Sequence, residues 1–398
     1  MYPLKIAYLY RICLVCLFVL IIINLLHVDN QWEDKKSSKI QRLLINRIKP
    51  RKNIVFLKTH KCGTETLVNA VFKRYGLNHN LTGVVGLRKH TFSISWPRRF
   101  NRSFMRRTKQ QPNLLCDHTV FDQEAIEDVM PANTFYATIL REPFSQFKSW
   151  FNYMSAAKLF DKKVDYPISV FLTNPTYYEH LFNTHERRKA YCFPPNFSIT
   201  KNPMSFDLGL SMGYDNTANY SNNLQKIQEF IINLKNRFNL VMIFEYYDLS
   251  IVLLRRLLNW NFRDILYIRQ NKSRRANLTK NPMDRELYKT WSLADHLLYS
   301  EFNKTFWEKV GMQVGIWSEL KQFQNVLKLL RSYCNSIRKH KFVSIRIERT
   351  IWNPRIIVNK HFCNEVGLSK VKEFLKMQEK NDNFFPGEDK RTLKLWYC

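Results

Sequence analysis

A polar segment at positions 58–66 combines residue types that suit the binding of an anion. It reads Lys-Thr-His-Lys-Cys-Gly-Thr-Glu-Thr and follows an apolar run at 53–57, which is typical of a buried strand. Apolar residues then recur at helical spacing from Leu67 to Tyr75. The segment therefore leads from a strand into the N-terminus of a helix, where unpaired N–H groups and the helix dipole favour a phosphate.

Individual residues of this loop have separate parts in holding a phosphate. Gly63 allows the backbone to approach the anion closely, and Thr64 and Thr66 add hydroxyl donors. Lys61 adds a charge that can reach a bridging oxygen. The G-x-x-x-x-G-K-[ST] order of a nucleoside triphosphatase is absent. The alternative is an ordinary strand–helix turn with solvated lysines.

A second candidate anion site follows a later strand. The apolar run 134–140 leads directly into Arg141, and Pro143 fits the first position of a helix. Ser149 lies eight residues after Arg141, about two turns along that helix. Because open α/β sheets bind ligands at the carboxyl ends of their strands, this pair could bind a second phosphate. The alternative is an arginine that caps a helix or forms a surface ion pair.

The elements that must position these residues alternate along the chain, which favours an α/β fold with a mostly parallel sheet covered by helices on both faces. Gly76 is placed to end the first helix. The basic stretch 86–112 is interpreted as a surface excursion. The other patterns are strand-like runs at 240–244 and 265–268 and helical patterns at 250–260, 291–310 and 313–333.

Composition and charge limit the class of protein and its partners. The 398 residues include 45% hydrophobic residues, which excludes wholesale disorder, and only ten glycines, which excludes collagen-like chains. With 63 Lys+Arg against 33 Asp+Glu, the net charge is +30. This charge suits nucleic acid, an anionic membrane, or a phosphorylated or sulfated small molecule. The compartment decides between them.

The N-terminal region predicts that compartment. Residues 12–28 are almost uninterruptedly apolar, follow Lys5 and Arg11, and lack a small-x-small cleavage site. We interpret them as an uncleaved type II signal anchor, which makes nucleic acid an improbable partner for the lumenal part. The predicted division is a cytoplasmic tail at 1–11, the anchor at 12–28, a stem at 29–52, a catalytic domain at 53–310 and a helical and mixed extension at 311–398.

Sequons and cysteines fit passage through the secretory pathway. Candidate N-glycosylation sites are Asn80, Asn101, Asn196, Asn219, Asn277 and Asn303. Two of the eight cysteines, Cys13 and Cys16, lie inside the predicted anchor. An oxidising lumen permits disulfides among the other six, although the sequence does not give their connectivity.

Several ordered blocks resemble the galactose-3-O-sulfotransferase family over about residues 53–310. Lys-x-Gly-Thr-x-Thr after a first strand, followed by an Arg with a Ser eight residues on, is similar to the two phosphate-binding elements of sulfotransferases. Cys62 and Glu65 stand where the family usually has small or hydroxyl residues. The blocks are FLKTHKCGTETL (56–67), CDHTVF (116–121), ILREPFSQFKSWFNY (139–153), KNPMSFDLG (201–209), GYDN (213–216), FEYYDLSIVLLRRLLNW (244–260) and WSLADHLLYSEFNKTFWEKV (291–310).

The resemblance implies a P-loop-like sulfotransferase fold, 3′-phosphoadenosine 5′-phosphosulfate (PAPS) as donor, and a galactose-terminated glycolipid or glycoprotein as acceptor, in the Golgi membrane. The first loop would take the 5′-phosphosulfate, and Arg141 and Ser149 the 3′-phosphate. Transfer to the 3-OH would be an in-line displacement. The implied donor-binding residues are Lys58, Lys61, Cys62, Gly63, Thr64, Glu65, Thr66, Arg141 and Ser149.

Two histidines are candidates for the general base that takes the hydroxyl proton. We choose His118, because imidazole titrates near working pH and related Golgi carbohydrate sulfotransferases have a histidine at the corresponding position. His60 is the second candidate, although inside the loop it could merely orient Lys61, which would stabilise the departing phosphate. A structural histidine at a strand end remains the alternative for His118.

A basic loop at 270–275 follows the strand-like run 265–268 and is similar to a basic loop of the family. We predict that Arg274 or Arg275 lies near the donor and that Asn271, despite its sequon, is unglycosylated. No metal is implied, because lysine, arginine and backbone dipoles can neutralise the donor.

Two other functions are alternatives to galactose sulfation. One is a sulfotransferase that modifies a uronic acid of heparan or chondroitin, and the other is a non-catalytic lumenal glycan-binding protein. Nothing in the sequence determines the oligomeric state.

Overall fold

The computed structural model describes residues 49–87, 93–160, 164–184, 193–194, 196–214, 217–268, 278–336 and 344–380. The predicted tail and anchor lie outside these residues, as does the stem except for its last positions. Among the residues that the structure does describe, no helix is long and apolar enough to cross a membrane.

A four-stranded parallel sheet forms the centre of the fold. Its strands stand in the order β2–β1–β3–β4, with Ile54 opposite both Leu114 and Phe135, and Ala137 opposite Leu240. All of their residues are buried, as expected for a parallel sheet covered on both faces. The bounds are β1 (Ile54–Leu57), β2 (Leu114–Leu115), β3 (Phe135–Leu140) and β4 (Leu240–Ile243). The predicted α/β fold with a parallel sheet is confirmed.

Helices pack around this sheet and continue to the C-terminal region. The first helix has three consecutive segments, α1 (Thr64–Thr66), the π-helical Leu67–Lys73, and α2 (Arg74–Asn78). The others are α3 (Gln123–Glu127), α4 (Pro143–Tyr153), α5 (Pro167–Thr173), α6 (Pro175–Thr184), α7 (Pro203–Asp207), α8 (Leu224–Arg237), α9 (Tyr247–Leu258), α10 (Phe262–Ile265), α11 (Asp284–Trp291), α12 (Leu293–Gly311), α13 (Ile316–Ser336), α14 (Lys360–Gly367) and α15 (Val371–Lys380). A hairpin of β5 (Ile345–Ile347) and β6 (Ile356–Val358) follows α13.

Two expectations about these elements were wrong. Gly76 does not end the first helix, which continues to Asn78; a Cβ at Gly76 would lie 2.8 Å from the Phe374 ring, so the glycine permits close packing instead. The run 265–268 is not a strand of the sheet. Only Ile265 lies in regular structure, as the last residue of the short helix α10, and 266–268 belong to neither a helix nor a strand although Leu266 and Tyr267 are buried. A short buried apolar run therefore need not pair as a strand.

The stretch 86–112 is more than a surface excursion, at least in its described parts. Ile94 and Phe100 are buried, and short parallel bridges pair Ser93 with His118 and Arg99 with Val120. The segment therefore packs alongside the chain that continues beyond β2. The prediction was wrong because the basic side chains concealed the few apolar residues that anchor the segment.

The region after residue 310 packs on the same core. Glu319 of α13 is fully buried and accepts hydrogen bonds from Arg255 and Arg256 of α9. A disulfide between Cys334 and Cys363 joins the end of α13 to α14, with the two Cα atoms 5.5 Å apart. Because a buried carboxylate is costly unless it is paired, the Glu319 contacts specify how α13 lies on α9.

Candidate active site

The carboxyl ends of all four parallel strands meet at one edge of the sheet. The chain moves from β1 to β2 on one side and to β3 on the other, so this edge contains the switch point where open α/β sheets bind ligands. Lys58, Arg141 and Phe244 directly follow β1, β3 and β4, and His118 lies three residues beyond β2. The topology thus places both predicted anion-binding elements and the predicted base at the same edge.

Contacts between these segments show that they form one site. The Arg141 guanidinium donates from Nη1 to the Lys61 carbonyl, with 3.1 Å between the atoms. His118 Nδ1 lies 3.0 Å from the Lys58 carbonyl. The His60 and His118 rings are stacked, with their centroids 4.0 Å apart. The first loop, the residue after β3 and the residue beyond β2 are therefore in direct contact.

The backbone of the first loop requires a glycine. Gly63 has φ 75° and immediately precedes α1, and a Cβ there would lie 2.6 Å from the Phe244 ring. A left-handed conformation and a close neighbour together disfavour other residues. Thr64 donates from Oγ1 to the Thr59 carbonyl at 3.2 Å. Lys61 also has positive φ, at 61°, which is uncommon for a residue with a side chain.

Lys58, Cys62 and Glu65 make contacts within the loop and with the first helix. The Lys58 ammonium, on a side chain only 3% exposed, lies 3.0 Å from Glu65 Oε2, so its charge is balanced within the loop. Glu65 also accepts from Asn69 at 2.7 Å. Cys62 is buried and donates from Sγ to the His60 carbonyl at 3.4 Å. Burial raises the pKa of the Cys62 thiol, so it stays protonated.

Lys61 is the cation of the loop that remains partly exposed at the site. Its Nζ lies 4.2 Å from the centroid of the Tyr153 ring, at the end of α4. Partial burial, followed by the nearby Arg141 charge, lowers the pKa of Lys61 from its ordinary value. A desolvated ammonium beside a second cation is suited to meeting an anion.

Arg141 is held in place by its neighbours. Its guanidinium carbon lies 4.6 Å from the centroid of the Phe244 ring, and its buried Nε has no hydrogen-bond partner among the described residues. Pro143 starts α4 as predicted, and Glu142 caps it by accepting from the Phe144 and Ser145 N–H groups. Ser149 lies on the same helix and is half-buried.

The surroundings of His118 define its tautomer. The Lys58 carbonyl can only accept, so Nδ1 of His118 carries the proton and donates to it. The lone pair of the neutral ring is then on Nε2. Burial, followed by the electrostatic influence of the neighbouring His60 and Lys58, holds the pKa of His118 well below 6.5. The ring is therefore neutral at neutral pH and able to accept a proton at Nε2.

His60 has its own fixed partner, Asp207, at the end of α7. The carboxylate of Asp207 accepts from the His60 backbone N–H and from its Nδ1, each 2.8 Å from Oδ2. Trp96 Nε1 donates to the other oxygen at 2.9 Å. Gln146 donates to the His60 carbonyl at 2.9 Å. The role of His60 in orienting Lys61 stays a prediction.

A buried ion pair supports the chain beside His118. Lys73, in the π-helical segment, lies 2.8 Å from Asp117 Oδ1, and both residues are buried. Asp117 immediately precedes His118. The first helix therefore holds the backbone next to the candidate base, in addition to carrying the first loop at its N-terminus.

The remaining predicted residues fall into two groups. Arg274 and Arg275 lie outside the described residues, as do Asn271 and Asn277. The other sequon asparagines are Asn80, Asn101, Asn196 and Asn219, which are exposed, and Asn303, which is half-buried within α12. Among the residues described, no cluster of three or more His, Cys, Asp or Glu side chains could hold a metal ion.

Sequence reasoning missed Asp207, Trp96 and Tyr153. Asp207 lies inside the block 201–209, but nothing in its local pattern connects it with a loop almost 150 positions earlier. Trp96 was concealed in the basic stretch 86–112. Tyr153 ends the block 139–153, and its spacing of four from Ser149 places the two on one helix face, which could have suggested it.

Comparisons with known proteins identify the family of the chain. The profile of the family described as Galactose-3-O-sulfotransferase matches residues 9–348. Galactosylceramide sulfotransferase of Homo sapiens is 34% identical over 270 residues, or 66% of this chain and 58% of that protein. Galactose-3-O-sulfotransferase 3 of Mus musculus is 33% identical over 264 residues, 65% of this chain and 57% of that protein. Galactose-3-O-sulfotransferase 2 of Mus musculus is 29% identical over 331 residues, 80% and 76% of the two chains.

The chain thus spans somewhat under two thirds of the length of the first two relatives. No solved structure matches it significantly. The family profile, however, covers far more than half of the chain, including both anion-binding elements, His118 and Asp207. The chain therefore belongs to the galactose-3-O-sulfotransferase family.

Proposed function

We propose that this protein transfers a sulfuryl group from PAPS to a hydroxyl, the 3-OH, of a terminal galactose on a glycolipid or glycoprotein. The observation that carries the proposal is the contact of the first loop, Arg141 and His118 at one edge of the sheet. The names of two relatives, galactosylceramide sulfotransferase and galactose-3-O-sulfotransferase 3, support the reaction and the acceptor sugar. Alternatives are a uronic acid acceptor and a glycan-binding protein without activity.

The residues present fit the donor. Gly63 has no side chain, which leaves open the space next to Phe244 that a Cβ would fill. The buried Arg141 Nε lacks a hydrogen-bond partner among the described residues. The N-terminus of the first helix and Lys61 would bind the 5′-phosphosulfate, and Arg141 with Ser149 the 3′-phosphate. The donor supplies an activated sulfuryl group and a phosphate leaving group. We further propose that Arg274 or Arg275 lies near it.

Within the reaction, His118 accepts the proton of the acceptor hydroxyl at Nε2. Its neutral state before the reaction follows from its lowered pKa, and its orientation follows from the hydrogen bond to the Lys58 carbonyl. Lys61 places a positive charge where negative charge develops on the departing phosphate. Together, these roles describe an in-line displacement that uses residues already in contact before substrates bind.

The experiment uses the full-length protein in detergent with labelled PAPS and a panel of β-galactosides, galactolipids, galactose-terminated glycoproteins and glycosaminoglycans. We expect label on the galactosides, and methylation analysis should locate the sulfate at the 3-OH. Label on heparan or chondroitin alone would contradict the galactose acceptor.

His118→Ala should lower transfer by about 10²- to 10⁴-fold without changing the affinity for 3′-phosphoadenosine 5′-phosphate (PAP). Full activity in a folded His118→Ala variant would exclude the assigned base.

We also propose that the protein is a single-pass type II protein of the Golgi membrane with its catalytic part in the lumen. The apolar run 12–28 supports an anchor, and the Cys334–Cys363 disulfide fits an oxidising compartment. Protease protection of the catalytic part in intact Golgi vesicles, lost on adding detergent, would test the orientation. Digestion without detergent would contradict it.

A further inference from the structure

Asp207 is a buried carboxylate that the proposed reaction does not yet use. It is 2% exposed and accepts from three N–H groups, namely the His60 backbone, His60 Nδ1 and Trp96 Nε1. A carboxylate can only accept, so Nδ1 of His60 must carry a proton. Nε2 of His60, like Nε2 of His118, has no hydrogen-bond partner among the residues described by the structure.

The two histidines are therefore oriented by the same device. Each ring has its Nδ1 tied to an acceptor of the protein, the Lys58 carbonyl for His118 and Asp207 for His60. The rings lie face to face, with an angle of 14° between their planes and 4.0 Å between their centroids. The plane of His118 is consequently determined both by its own hydrogen bond and by the face of His60.

Aromatic rings close the other sides of His60. Its centroid lies 4.4 Å from that of Trp96 and 4.9 Å from that of Trp150. Trp96 also donates to Asp207, so the same carboxylate holds both Trp96 and His60 in place. A His60 side chain enclosed in this way cannot turn without breaking its bond to Asp207.

The helix that carries Asp207 is itself fixed. The carboxylate of Asp295, on α12, accepts from the Met204 and Ser205 N–H groups at the start of α7, at 3.1 and 2.7 Å. At the other end, the Asp207 carbonyl accepts from the Phe121 N–H at 2.9 Å. Positioning groups are effective when rigid elements support them, and α7 is supported at both ends.

We propose that Asp207 is a positioning residue for the transfer reaction: through His60 it fixes the plane and the accepting edge of the His118 ring. This inference rests on the proposed function, since it requires His118 to be the base. Asp207 is not a catalytic residue in this scheme, because its carboxylate contacts His60 and Trp96. The charged groups around the two rings are Lys58, Lys73, Asp117 and Asp207 itself.

The substitution Asp207→Asn tests this proposal with little change in shape. The two carboxylate oxygens face three N–H donors, so an amide leaves at least one donor facing its NH₂ group, whichever way it is turned. We expect kcat to fall about 10- to 100-fold, as for other residues that orient a functional histidine, while the KM for PAPS changes less than about twofold. Unchanged kcat would overturn the proposal.

Glu319→Gln is the matched control. This substitution also removes a buried carboxylate that accepts from two N–H donors. Glu319, however, lies on α13, and its partners Arg255 and Arg256 lie in the last turn of α9. It should lower thermal stability and leave the kcat of the folded protein within about twofold. If Glu319→Gln lowered kcat as much as Asp207→Asn, the effect of Asp207 would be general destabilisation and the proposal would be wrong.

A direct measurement on the wild-type protein does not depend on enzyme activity. Two-bond ¹H–¹⁵N correlation spectra of the full-length protein with ¹⁵N-labelled histidine report which ring nitrogen carries the proton. His60→Gln and His118→Gln variants assign the signals. We expect a protonated Nδ1 for both histidines; a His60 ring with bare Nδ1 would overturn the proposal. An inactive wild-type protein with the expected spectra would refute the proposed function, and the role of Asp207 in transfer with it, whereas an active protein with a bare His60 Nδ1 would refute the positioning role alone.

Discussion

At the scale of the residue, His118 and Lys61 differ in the protonation state that each needs. A general base must be neutral, whereas a group that stabilises a leaving phosphate must be charged. Burial is the first cause of both pKa shifts, and for each residue it lowers the pKa. The same physical effect therefore favours the working form of His118 and narrows the pH range over which Lys61 keeps its charge.

These shifts predict a bell-shaped pH dependence of kcat/KM. Activity should be lost on the acidic side only as pH falls through the lowered pKa of His118, well below 6.5, because neutral His118 exists above that pKa. On the basic side it should be lost as pH rises through a Lys61 pKa lower than 10.5. Initial rates at subsaturating substrate over a broad pH range test this. In Lys61→Arg the basic limb should move to higher pH, and an acidic limb near or above 6.5 would contradict the assignment.

Gly63 gives a second prediction at this scale. Gly63→Ala places a Cβ 2.6 Å from the Phe244 ring in a backbone of positive φ, so the loop must move. We expect the affinity for PAP, measured by calorimetry, to fall at least about tenfold. The matched control is Gly311→Ala at the end of α12, where an added Cβ meets nothing within 4 Å. Equal PAP affinity in the two variants would show that the loop does not need this glycine.

At the scale of the element, the first helix joins the anion-binding loop to the candidate base. Its N-terminus follows Gly63, and its π-helical segment carries Lys73, which pairs with Asp117 next to His118. Removing one partner of a buried pair leaves an uncompensated charge in the interior. We therefore expect the Lys73–Asp117 pair to contribute to the stability of the protein as well as to the placement of His118.

Lys73→Met should lower the free energy of unfolding by about 3–5 kcal/mol, because Asp117 would remain buried without its partner. Chemical denaturation of the two proteins measures the difference. Lys235→Met is the control: its pair with Glu301 is also close, at 2.6 Å, but the lysine side chain is 44% exposed. Because water screens this exposed pair, the variant should change stability far less than Lys73→Met, and equal losses in both variants would contradict the argument.

The elements were predictable where one strong local signal decided them. The run 53–57, the helix start at Pro143 and the arginine after β3 were all correct. The prediction for Gly76 was wrong because this glycine packs closely against the Phe374 ring. The prediction for 265–268 was wrong because an apolar segment can be buried without pairing as a strand. Asp207 and Trp96 could not be placed, since their contacts with His60 join distant segments.

At the scale of the whole molecule, the charge of +30 belongs to a protein whose site is built from partly desolvated cations. Such an excess of positive charge attracts anionic ligands over distances of about a Debye length. It agrees with a donor that carries several negative charges. It also agrees with the predicted position of the chain at a membrane surface.

The exposure of the sequons predicts a pattern of glycosylation. Asn101 and Asn219 are exposed outside the regular helices and should carry glycans. Asn303 has an intact sequon, but it lies in the 19-residue helix α12 with its side-chain oxygen buried, so we expect it to be unmodified. Intact-glycopeptide mass spectrometry of protein from a secretory-pathway host tests both statements. Complete occupancy of Asn303 would contradict the second, and bare Asn101 and Asn219 would contradict the first.

The seven-residue π-helical segment has a consequence for how this protein tolerates insertions and deletions. Each π turn holds more residues than an α turn, so shortening Leu67–Lys73 by one position would restore ordinary helical winding at little local cost. Because the wider π turns absorb the extra residue, the two halves of the helix would keep nearly their present relative orientation. Lys73 would still face Asp117, and the loop would keep its place. This helix should therefore tolerate the loss of one residue between Leu67 and Lys73, whereas the same deletion in an ordinary α-helix would rotate everything beyond it by about 100°.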